Sequence, residues 1–344
     1  MPSKGKVIVL RFSAMGDVAM VASVLREFSV QNPEVELVMV SRAAFKPFFD
    51  EIETLTFHAI EPKTTHKGVV GLYKLYRELR KYKPTAIADL HDNLRSRILS
   101  TFFRLATYKI ERIDKGRAEK KALTRSKNKI FKSLKQTVER YADVFRVLGF
   151  NVKLSHQLVK SIKSIPANAE ELFANKVAKR IGISPFAQHI YKVYPYNKME
   201  KAIKELDSLG YGIFIFGGGN EEKAIAEGWK NQFKNVKNLI GKFTLREELD
   251  IISNLDVMLS MDSAGMHMAS LMGVPVVSIW GPTHPYAGFL GYGQSLADCI
   301  QIDHPNRPNS IYGNKPCLCG VYPCIDLISP ESIVNKLKER LTNG

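Results

Sequence analysis

Short apolar runs alternate with amphipathic stretches along the first half of this 344-residue chain. Strand-like and helix-like periods follow one another in regular order. The predicted strands cover 6–12, 35–40, 54–59, 86–90 and 108–113, and the predicted helices cover 17–30, 69–81, 94–103 and 134–148. Because the strands are mostly apolar on both faces, the pattern predicts a parallel sheet covered by helices on both sides.

A break in the pattern follows, where Lys, Ser, Pro and Asn cluster between Leu158 and Glu170. The alternation then restarts and ends in two further strand–helix units. Its predicted elements are a helix at 169–180, a loop at 184–195, a helix at 198–209, a strand at 213–216, a helix at 221–233 and a closing helix at 330–341. A chain of this length exceeds the usual size of one core. We therefore expect an N-terminal Rossmann-like domain at 1–160, a second at 170–330 and a closing helix at 331–344.

Composition narrows the class of protein. With 45% hydrophobic and 24% charged residues, the chain is typical of a soluble globular protein. No apolar run approaches the roughly 20 residues needed to cross a bilayer. The first residues, Met1–Lys6, lack the pattern of a secretory signal. We therefore expect a cytoplasmic protein.

The four cysteines are Cys299, Cys317, Cys319 and Cys324, three of them within eight residues. The spacing Cys-x-Cys-x4-Cys lacks the paired Cys-x2-Cys of zinc fingers, and only Cys299 could supply a fourth thiolate. We therefore expect reduced thiols and no bound metal. The chain also lacks a G-x-G-x-x-G dinucleotide fingerprint, and we expect no cofactor.

The formal net charge of +16 is concentrated between Arg104 and Lys135, where twelve basic residues face three acidic ones. Such a run is often a solvated helix face. Its density also suits an anionic partner: a phosphorylated glycolipid, a negatively charged membrane leaflet or a nucleic acid. Proteins that bind single-stranded nucleic acid interleave aromatic residues with basic ones, whereas this run contains only two aromatic residues, Tyr108 and Phe131.

Polar residues at predicted strand-to-helix turns are the candidates for chemistry. Asp262 and Ser263 open an amphipathic helix, whose unpaired backbone N–H groups suit a diphosphate, although either residue could be an ordinary N-cap. Asp17 follows Gly16 at the carboxyl end of the first strand, where open α/β sheets bind ligands. Its carboxylate could accept a proton or only complement the helix dipole.

Several of these residues also form ordered motifs. Arg11–Asp17 fits [KR]-x-[ST]-[SA]-x-G-D, Tyr191–Pro195 is similar to K-x-W-P with Tyr194 where tryptophan is usual, and Asp262–His267 fits D-[ST]-x-x-x-H and is followed by Gly-Val-Pro and Gly-Pro-Thr. Together with the segment 89–96, these motifs resemble the ADP-heptose:lipopolysaccharide heptosyltransferases, glycosyltransferase family 9. The resemblance covers nearly the whole chain.

The resemblance implies a GT-B fold, in which two Rossmann-like, doubly wound parallel-sheet domains face a central cleft. It also implies an inverting, metal-independent transfer of heptose from a nucleoside-diphosphate sugar, with ADP-heptose as the expected donor. Asp17 would be the general base that takes the proton of the acceptor hydroxyl. A GDP- or UDP-sugar donor, a catalytically silent binder and a basic nucleic-acid-binding protein are the alternatives.

The implied site residues form two sets. Donor-binding positions are Lys192, Gly218, Glu222, Phe243, Asp262, Ser263, Ala264, Gly265 and His267, and acceptor-binding positions are Ser13, Gly16, Arg42, Asp92 and Arg95. At 185–188, Pro-Phe-Ala-Gln replaces a hydroxyl-rich stretch of the family, so hydroxyl contacts to phosphate are not expected there. The expected partners are the donor, an anionic glycolipid acceptor and, peripherally, the inner face of the cytoplasmic membrane. Nucleic acid is not an expected partner, and the sequence leaves the oligomeric state open.

Overall fold

The computed structural model describes residues 5–342 and divides the chain into two compact units. The first unit comprises residues 1–115 and 137–155, and the second comprises 116–136 and 156–344. Residues 1–4, which bear on the expected lack of a signal, and residues 343–344 of the predicted closing helix lie outside the described part.

The first unit is built on five parallel strands in the order β3-β2-β1-β4-β5. The strands are β1 (Lys6–Leu10), β2 (Glu36–Arg42), β3 (Leu55–Ile60), β4 (Ala86–Asp89) and β5 (Lys109–Arg112). The helices of this unit are α1 (Met15–Gln31), α2 (Gly68–Arg80), α3 (Leu94–Leu105) and α5 (Thr137–Leu148). Between α3 and α5 along the chain lies α4 (Arg117–Thr124), which belongs to the second unit.

Buried apolar residues cover both faces of this sheet. Leu75 and Phe103, from α2 and α3, join a cluster with Ile8 and Ile87 of the strands. Val18, Leu25 and Phe28 of α1 are also buried, and the Phe28 ring lies 4.7 Å from that of Phe145 in α5. The predicted doubly covered parallel sheet is therefore confirmed. Its strand order reverses between β1 and β4, which places a ligand crevice at their carboxyl ends.

The second unit contains six parallel strands in the order β11-β10-β9-β6-β7-β8. They are β6 (Arg180–Ser184), β7 (Gly212–Ile215), β8 (Val236–Asn238), β9 (Val257–Met261), β10 (Val276–Ile279) and β11 (Cys299–Ile300). The helices are α6 (Glu170–Phe173), α7 (Tyr196–Ser208), α8 (Asn220–Gln232), α9 (Leu245–Ser253), α10 (Ala264–Leu271) and α11 (Pro330–Thr342). Here the order reverses between β6 and β9, so the equivalent crevice lies after these two strands.

One predicted element is wrong. The helix expected at 169–180 ends at Phe173, and the chain then forms the central strand β6 at Arg180–Ser184. The residue in the middle of this short strand is Gly182, and a larger residue would not fit there because its Cβ would lie 2.6 Å from Leu255 Cδ1. The strand is only five residues long, and its place in the sheet is set by its partners β7 and β9. The other predicted helices and strands are confirmed, with shifted ends.

The cysteine prediction is also corrected. Cys319 and Cys324 form a disulfide, while Cys299 and Cys317 are free. The hairpin of β12 (Leu318–Cys319) and β13 (Tyr322–Pro323) folds the chain back and leaves the two Cα atoms 5.0 Å apart, within disulfide range. Within residues 5–342, no cluster of three or more His, Cys, Asp or Glu side chains is arranged to hold a metal ion.

The basic run from Arg104 to Lys135 is divided between the two units, with the boundary at residues 115 and 116. In the second part, Leu123 and Leu134 pack with Ala287 in an apolar cluster. Lys120 is buried with its Nζ 4.3 Å from the centre of the Phe289 ring. Some of the cations therefore serve internal packing. Over the described range, no helix combines the length and apolarity needed to traverse a bilayer.

Candidate active site

In the first unit, Asp17 lies in the first turn of α1, directly after β1. Its Oδ2 is 2.5 Å from Nη2 of Arg11 and accepts a hydrogen bond of 3.3 Å from the N–H of Ala14. Arg11 is itself buried and donates from Nη1 to the carbonyl of Leu90 (2.9 Å), in the turn after β4. The Asp17 side chain remains 25% exposed. It is thus a fixed carboxylate that solvent or a ligand can reach.

Tyr141, from α5, contacts the same carboxylate. Its hydroxyl donates to Asp17 Oδ1 at 3.5 Å, and the Arg11 guanidinium lies 5.8 Å from the centre of its ring. Burial raises the pKa of Tyr141 well above its usual value, so the phenol is neutral and remains a donor at physiological pH. Arg11 and Tyr141 therefore orient one oxygen of Asp17 each.

A second set of charges lies in the turn after β4. Asp89 is buried and accepts hydrogen bonds from the N–H groups of His91 (3.1 Å) and Asp92 (2.9 Å). Arg112 reaches Asp89 Oδ2 from Nε at 3.1 Å, and Arg97 Nε lies 2.6 Å from Asp92 Oδ1. The ion pairs fix this turn, and the hydrogen bond from Arg11 to Leu90 joins it to the Asp17 turn, as expected at a switch point.

His91 is a neutral ring within this arrangement. Its Nδ1 accepts a hydrogen bond of 3.2 Å from the N–H of Phe12. Burial, together with the positive charges of Arg11, Lys115 and Arg42, lowers the pKa of His91 to about 3. His91 therefore links the two turns structurally and does not titrate near neutral pH.

The predicted acceptor residues are brought together in part. Ser13 and Gly16 share the half-buried turn with Asp17, and Asp92 lies in the adjacent turn. Arg42 is exposed at the end of β2, near enough to influence His91. Arg95 is exposed near the start of α3, where Arg97, not Arg95, pairs with Asp92.

In the second unit, Lys192 and Asp262 meet at the switch point. Lys192 follows β6, and its Nζ donates to the Asp262 carbonyl at 2.5 Å and lies 3.4 Å from Asp262 Oδ2. Asp262 directly follows β9 and is buried. A cation and an anion from two loops thus share the crevice between β6 and β9.

The start of α10 completes this crevice. Ser263 is its N-cap residue but makes no capping hydrogen bond from its side chain, and its Oγ lies 3.4 Å from Ser260 Oγ. Ala264 is half-buried, and Gly265 packs so closely on β6 that a Cβ would lie 2.4 Å from Ser184 Oγ. His267 is buried one turn into the helix. Small residues therefore leave the backbone N–H groups of this helix start open to a ligand.

The remaining donor candidates lie after β7 and β8. Glu222 Oε2 accepts a hydrogen bond of 2.7 Å from the N–H of Gly218, so the Glu222 carboxylate is held against the glycine turn at 217–219. A Cβ at Gly217 would lie 2.7 Å from the same oxygen. Phe243 is half-buried in the loop before α9.

Tyr141 and Ser184 help to build these sites but were not predicted, and Arg11 was predicted only as part of a motif. Tyr141 is 124 residues from Asp17 along the chain and carries no local motif. Ser184 lies in the strand that the sequence did not predict. Arg11 did stand in the opening motif, and that motif's basic position was the available signal for a partner of Asp17.

Two Rossmann-like sheets, each with polar residues at its switch point, are typical of the GT-B class of fold. Residues 72–311 match the family model described as glycosyltransferase family 9 (heptosyltransferase). The match covers well over half of the chain, so this protein belongs to glycosyltransferase family 9.

Individual relatives agree with this assignment. The lipooligosaccharide heptosyltransferase 2 of Haemophilus influenzae is 26% identical, over 97% of this chain and 99% of the relative. Among solved structures, a family 9 glycosyltransferase from Veillonella parvula has a TM-score of 0.77 at 18% identity, covering 100% of this chain and 99% of its own. An E. coli heptosyltransferase solved with ADP has a TM-score of 0.67 at 17% identity, covering 97% and 99%. At these identities the two structures support the fold alone.

Proposed function

We propose that this family 9 enzyme transfers heptose from ADP-heptose to a glycolipid acceptor of the lipopolysaccharide-core type. The observation that carries the proposal is the meeting of Lys192 and Asp262 beside the open start of α10. The names of the relatives support the sugar and the acceptor class, and a heptosyltransferase of the same fold was solved with ADP, the nucleotide proposed here.

On the donor side, the second unit supplies positive charge and backbone donors. The Lys192 ammonium would neutralise the diphosphate as it leaves, and N–H groups at the start of α10 would bind its oxygens. Asp262 would accept hydrogen bonds from sugar hydroxyls, and Glu222 from the ribose. Phe243 would border the base. Since these groups stabilise the leaving diphosphate, we propose a reaction that needs no metal ion.

On the acceptor side, Asp17 would take the proton of the attacking hydroxyl. The acceptor oxygen forms its bond to the anomeric carbon while the bond from that carbon to the diphosphate oxygen breaks. The products are the glycoside, the nucleoside diphosphate and a protonated Asp17, which then releases its proton to solvent. A single displacement of this kind inverts the anomeric configuration. Arg11 and Tyr141 hold the carboxylate in place for the transfer.

The nucleotide is tested by thermal unfolding of the purified protein with ADP, GDP, UDP or CMP, in EDTA. A ligand at 100 times its dissociation constant adds about 2.7 kcal/mol to the free energy of unfolding. Selective stabilisation by ADP supports the proposal. Selective stabilisation by GDP or UDP would mean that the donor carries that nucleotide instead of ADP, and the family assignment would stand. Stabilisation that requires Mg²⁺ would overturn the proposal that the reaction needs no metal ion.

The reaction is tested by incubating the enzyme with ADP-heptose and a lipopolysaccharide-core acceptor that lacks heptose. We expect release of ADP and one new glycosidic bond, whose anomeric configuration by NMR is opposite to that of the donor. Retention of configuration would contradict the single displacement with Asp17 as base.

We also propose that the enzyme works at the inner face of the cytoplasmic membrane, held by anionic lipid. Supporting this, six exposed cations lie between residues 116 and 136: Arg117, Lys121, Arg125, Lys127, Lys132 and Lys135. Ile130 and Phe131, in the same segment, are 47% and 51% exposed. Flotation with anionic liposomes should show binding that salt weakens. Absence of binding at low salt would remove this part of the proposal.

A further inference from the structure

The aliphatic part of Lys192 lies against the backbone of Gly313. A Cβ at residue 313 would lie 2.3 Å from Lys192 Cγ and 2.5 Å from its Cδ. These are the middle atoms of the side chain, so relieving the overlap would move the whole lysine and not only its tip. Gly313 is buried, and its φ of +73° favours glycine independently.

The loop that carries Gly313 is itself held in place. The N–H of Gly313 donates to Ser310 Oγ at 2.9 Å, and Ser310 Oγ donates to Asn314 Oδ1 at 2.8 Å. The N–H groups of Asn309 and Ser310 both approach the carbonyl of Pro282, at 3.2 and 3.3 Å. Gly313 is thereby tied to the Gly281–Pro282 turn, which follows β10, the neighbour of β9.

The same turn reaches back to the lysine segment. A Cβ at Gly281 would lie 3.2 Å from the carbonyl oxygen of Tyr191, the residue before Lys192. Arg307 is buried and donates to the carbonyls of Gly281 (2.6 Å) and Thr283 (2.9 Å), which fixes the turn. A loop and a turn that are both held by hydrogen bonds thus lie along one side of Lys192.

At its tip, Lys192 is held by Asp262, at 2.5 Å from the carbonyl oxygen. A lysine side chain has four flexible bonds, and contacts at both its stem and its tip are needed to select one direction for the ammonium. The stem contact exists only because residue 313 has no side chain.

We propose that Gly313 is a positioning residue for the donor site: its missing side chain sets the direction of the Lys192 ammonium and thereby the affinity for the donor's diphosphate. The inference rests on the proposed role of Lys192. It adds a determinant that the sequence motifs did not include, because residue 313 lies 121 residues beyond Lys192.

The test measures ADP binding by calorimetry for Gly313→Ala, with Gly210→Ala as the matched control. Gly210 has a φ of +76° and open space around its Cβ position, so alanine there introduces the same backbone strain without a neighbour. We expect Gly313→Ala to weaken ADP binding between about tenfold and a hundredfold. Gly210→Ala should stay within about twofold of the wild type.

A double-mutant cycle then isolates the contact with Lys192. In a Lys192→Ala background the stem atoms are gone, so adding Gly313→Ala should weaken ADP binding no further. Melting curves of all variants verify that each is folded. The inference would be overturned if Gly313→Ala and Gly210→Ala bound ADP with equal affinity. It would also be overturned if Gly313→Ala weakened ADP binding as much in the Lys192→Ala background as in the wild type.

The cycle also separates this inference from the proposed function. If Lys192→Ala weakens ADP binding but Gly313→Ala does not, Lys192 keeps its role and only the inference about Gly313 fails. If Lys192→Ala binds ADP like the wild type, the assigned role of Lys192 fails and the inference about Gly313 fails with it.

Discussion

The two units share the order of five strands, to which the second unit adds a sixth, but their switch points are built from different groups. In the first unit, the turns after β1 and β4 are filled by charged side chains, with Arg11 on Asp17 and Arg112 on Asp89. In the second, the turns after β6 and β9 are lined by small residues and backbone, with Lys192 and Asp262 as the ion pair. Side chains thus build the first site, and mostly backbone builds the second.

This difference corresponds to two kinds of chemical work. A proton acceptor has to be one defined side chain with fixed partners, which suits the ion-paired Asp17 turn. A diphosphate is bound by several N–H groups and one cation, and these require close approach of the backbone instead of elaborate side chains. Substitutions in the two units should therefore fail in different ways.

The largest effect is expected from Asp17→Asn in the first unit. Losing the proton acceptor should lower turnover by about 10³-fold, because general base catalysis contributes on this scale. The affinity for ADP should stay unchanged, since Asp17 is not among the proposed donor-binding groups. Initial rates with saturating ADP-heptose, alongside ADP calorimetry, measure both quantities. Turnover at the wild-type rate would contradict the general-base role.

Lys192→Ala in the second unit should weaken ADP binding, which Asp17→Asn leaves unchanged. Removing one charged hydrogen-bond donor to the diphosphate should weaken ADP binding by about 10- to 100-fold. Lys192→Arg keeps the charge but changes the geometry, and it should recover only part of the affinity. The comparison between the units fails if Lys192→Ala lowers turnover while leaving ADP affinity at the wild-type value.

The fold could be largely predicted from the sequence because strand and helix periods repeat locally. The failure at β6 has a physical cause: the strand is only five residues long and has Gly182, a poor strand former, at its centre, so its place in the sheet is set by β7 and β9. The sequence likewise did not predict that residues 116–136 pack in the second unit. Composition indicates where a linker lies, not which core a segment joins.

The site could be predicted where its residues lie in short motifs, as Asp17, Lys192 and Asp262 do. Their partners were less accessible, because Tyr141 meets Asp17 across 124 residues and Lys192 meets Asp262 across 70. Such contacts are made by the topology of a doubly wound sheet, which brings distant turns to one edge.

A smaller effect should follow from crowding the backbone of the second site. Gly265→Ala would place a Cβ 2.4 Å from Ser184 Oγ and 2.5 Å from its Cβ. We expect a loss of about 1–3 kcal/mol in the free energy of unfolding, together with weaker ADP binding. Gly228→Ala is the control, because Gly228 lies in α8 with open space around its Cβ position, and it should be neutral or slightly stabilising. Equal stability of the two variants would show that α10 can move away from β6 at little cost.

Each unit contains a poorly solvated acid, and the two acids differ in their partners. Asp89 in the first unit is paired with Arg112 at 3.1 Å, whereas no ion pair joins Glu248 of α9 to any residue between 5 and 342. Burial raises the pKa of Glu248 from its ordinary 4.5 to about 7. The folded state therefore holds this proton more tightly than the unfolded chain does.

The smallest effect, and one that depends on pH, is expected from Glu248→Gln. Because the folded pKa of Glu248 is the higher one, its cost is absent below pH 4.5 and grows as the pH rises from there to about 7. Wild-type stability should fall by about 2 kcal/mol relative to the variant between pH 5 and pH 8. Denaturant unfolding of both proteins at the two pH values measures this difference, with Glu247→Gln, a half-buried neighbour in the Thr244 capping box, as a control. A stability difference that does not change with pH would mean that Glu248 is solvated, and the contrast with Asp89 would then disappear.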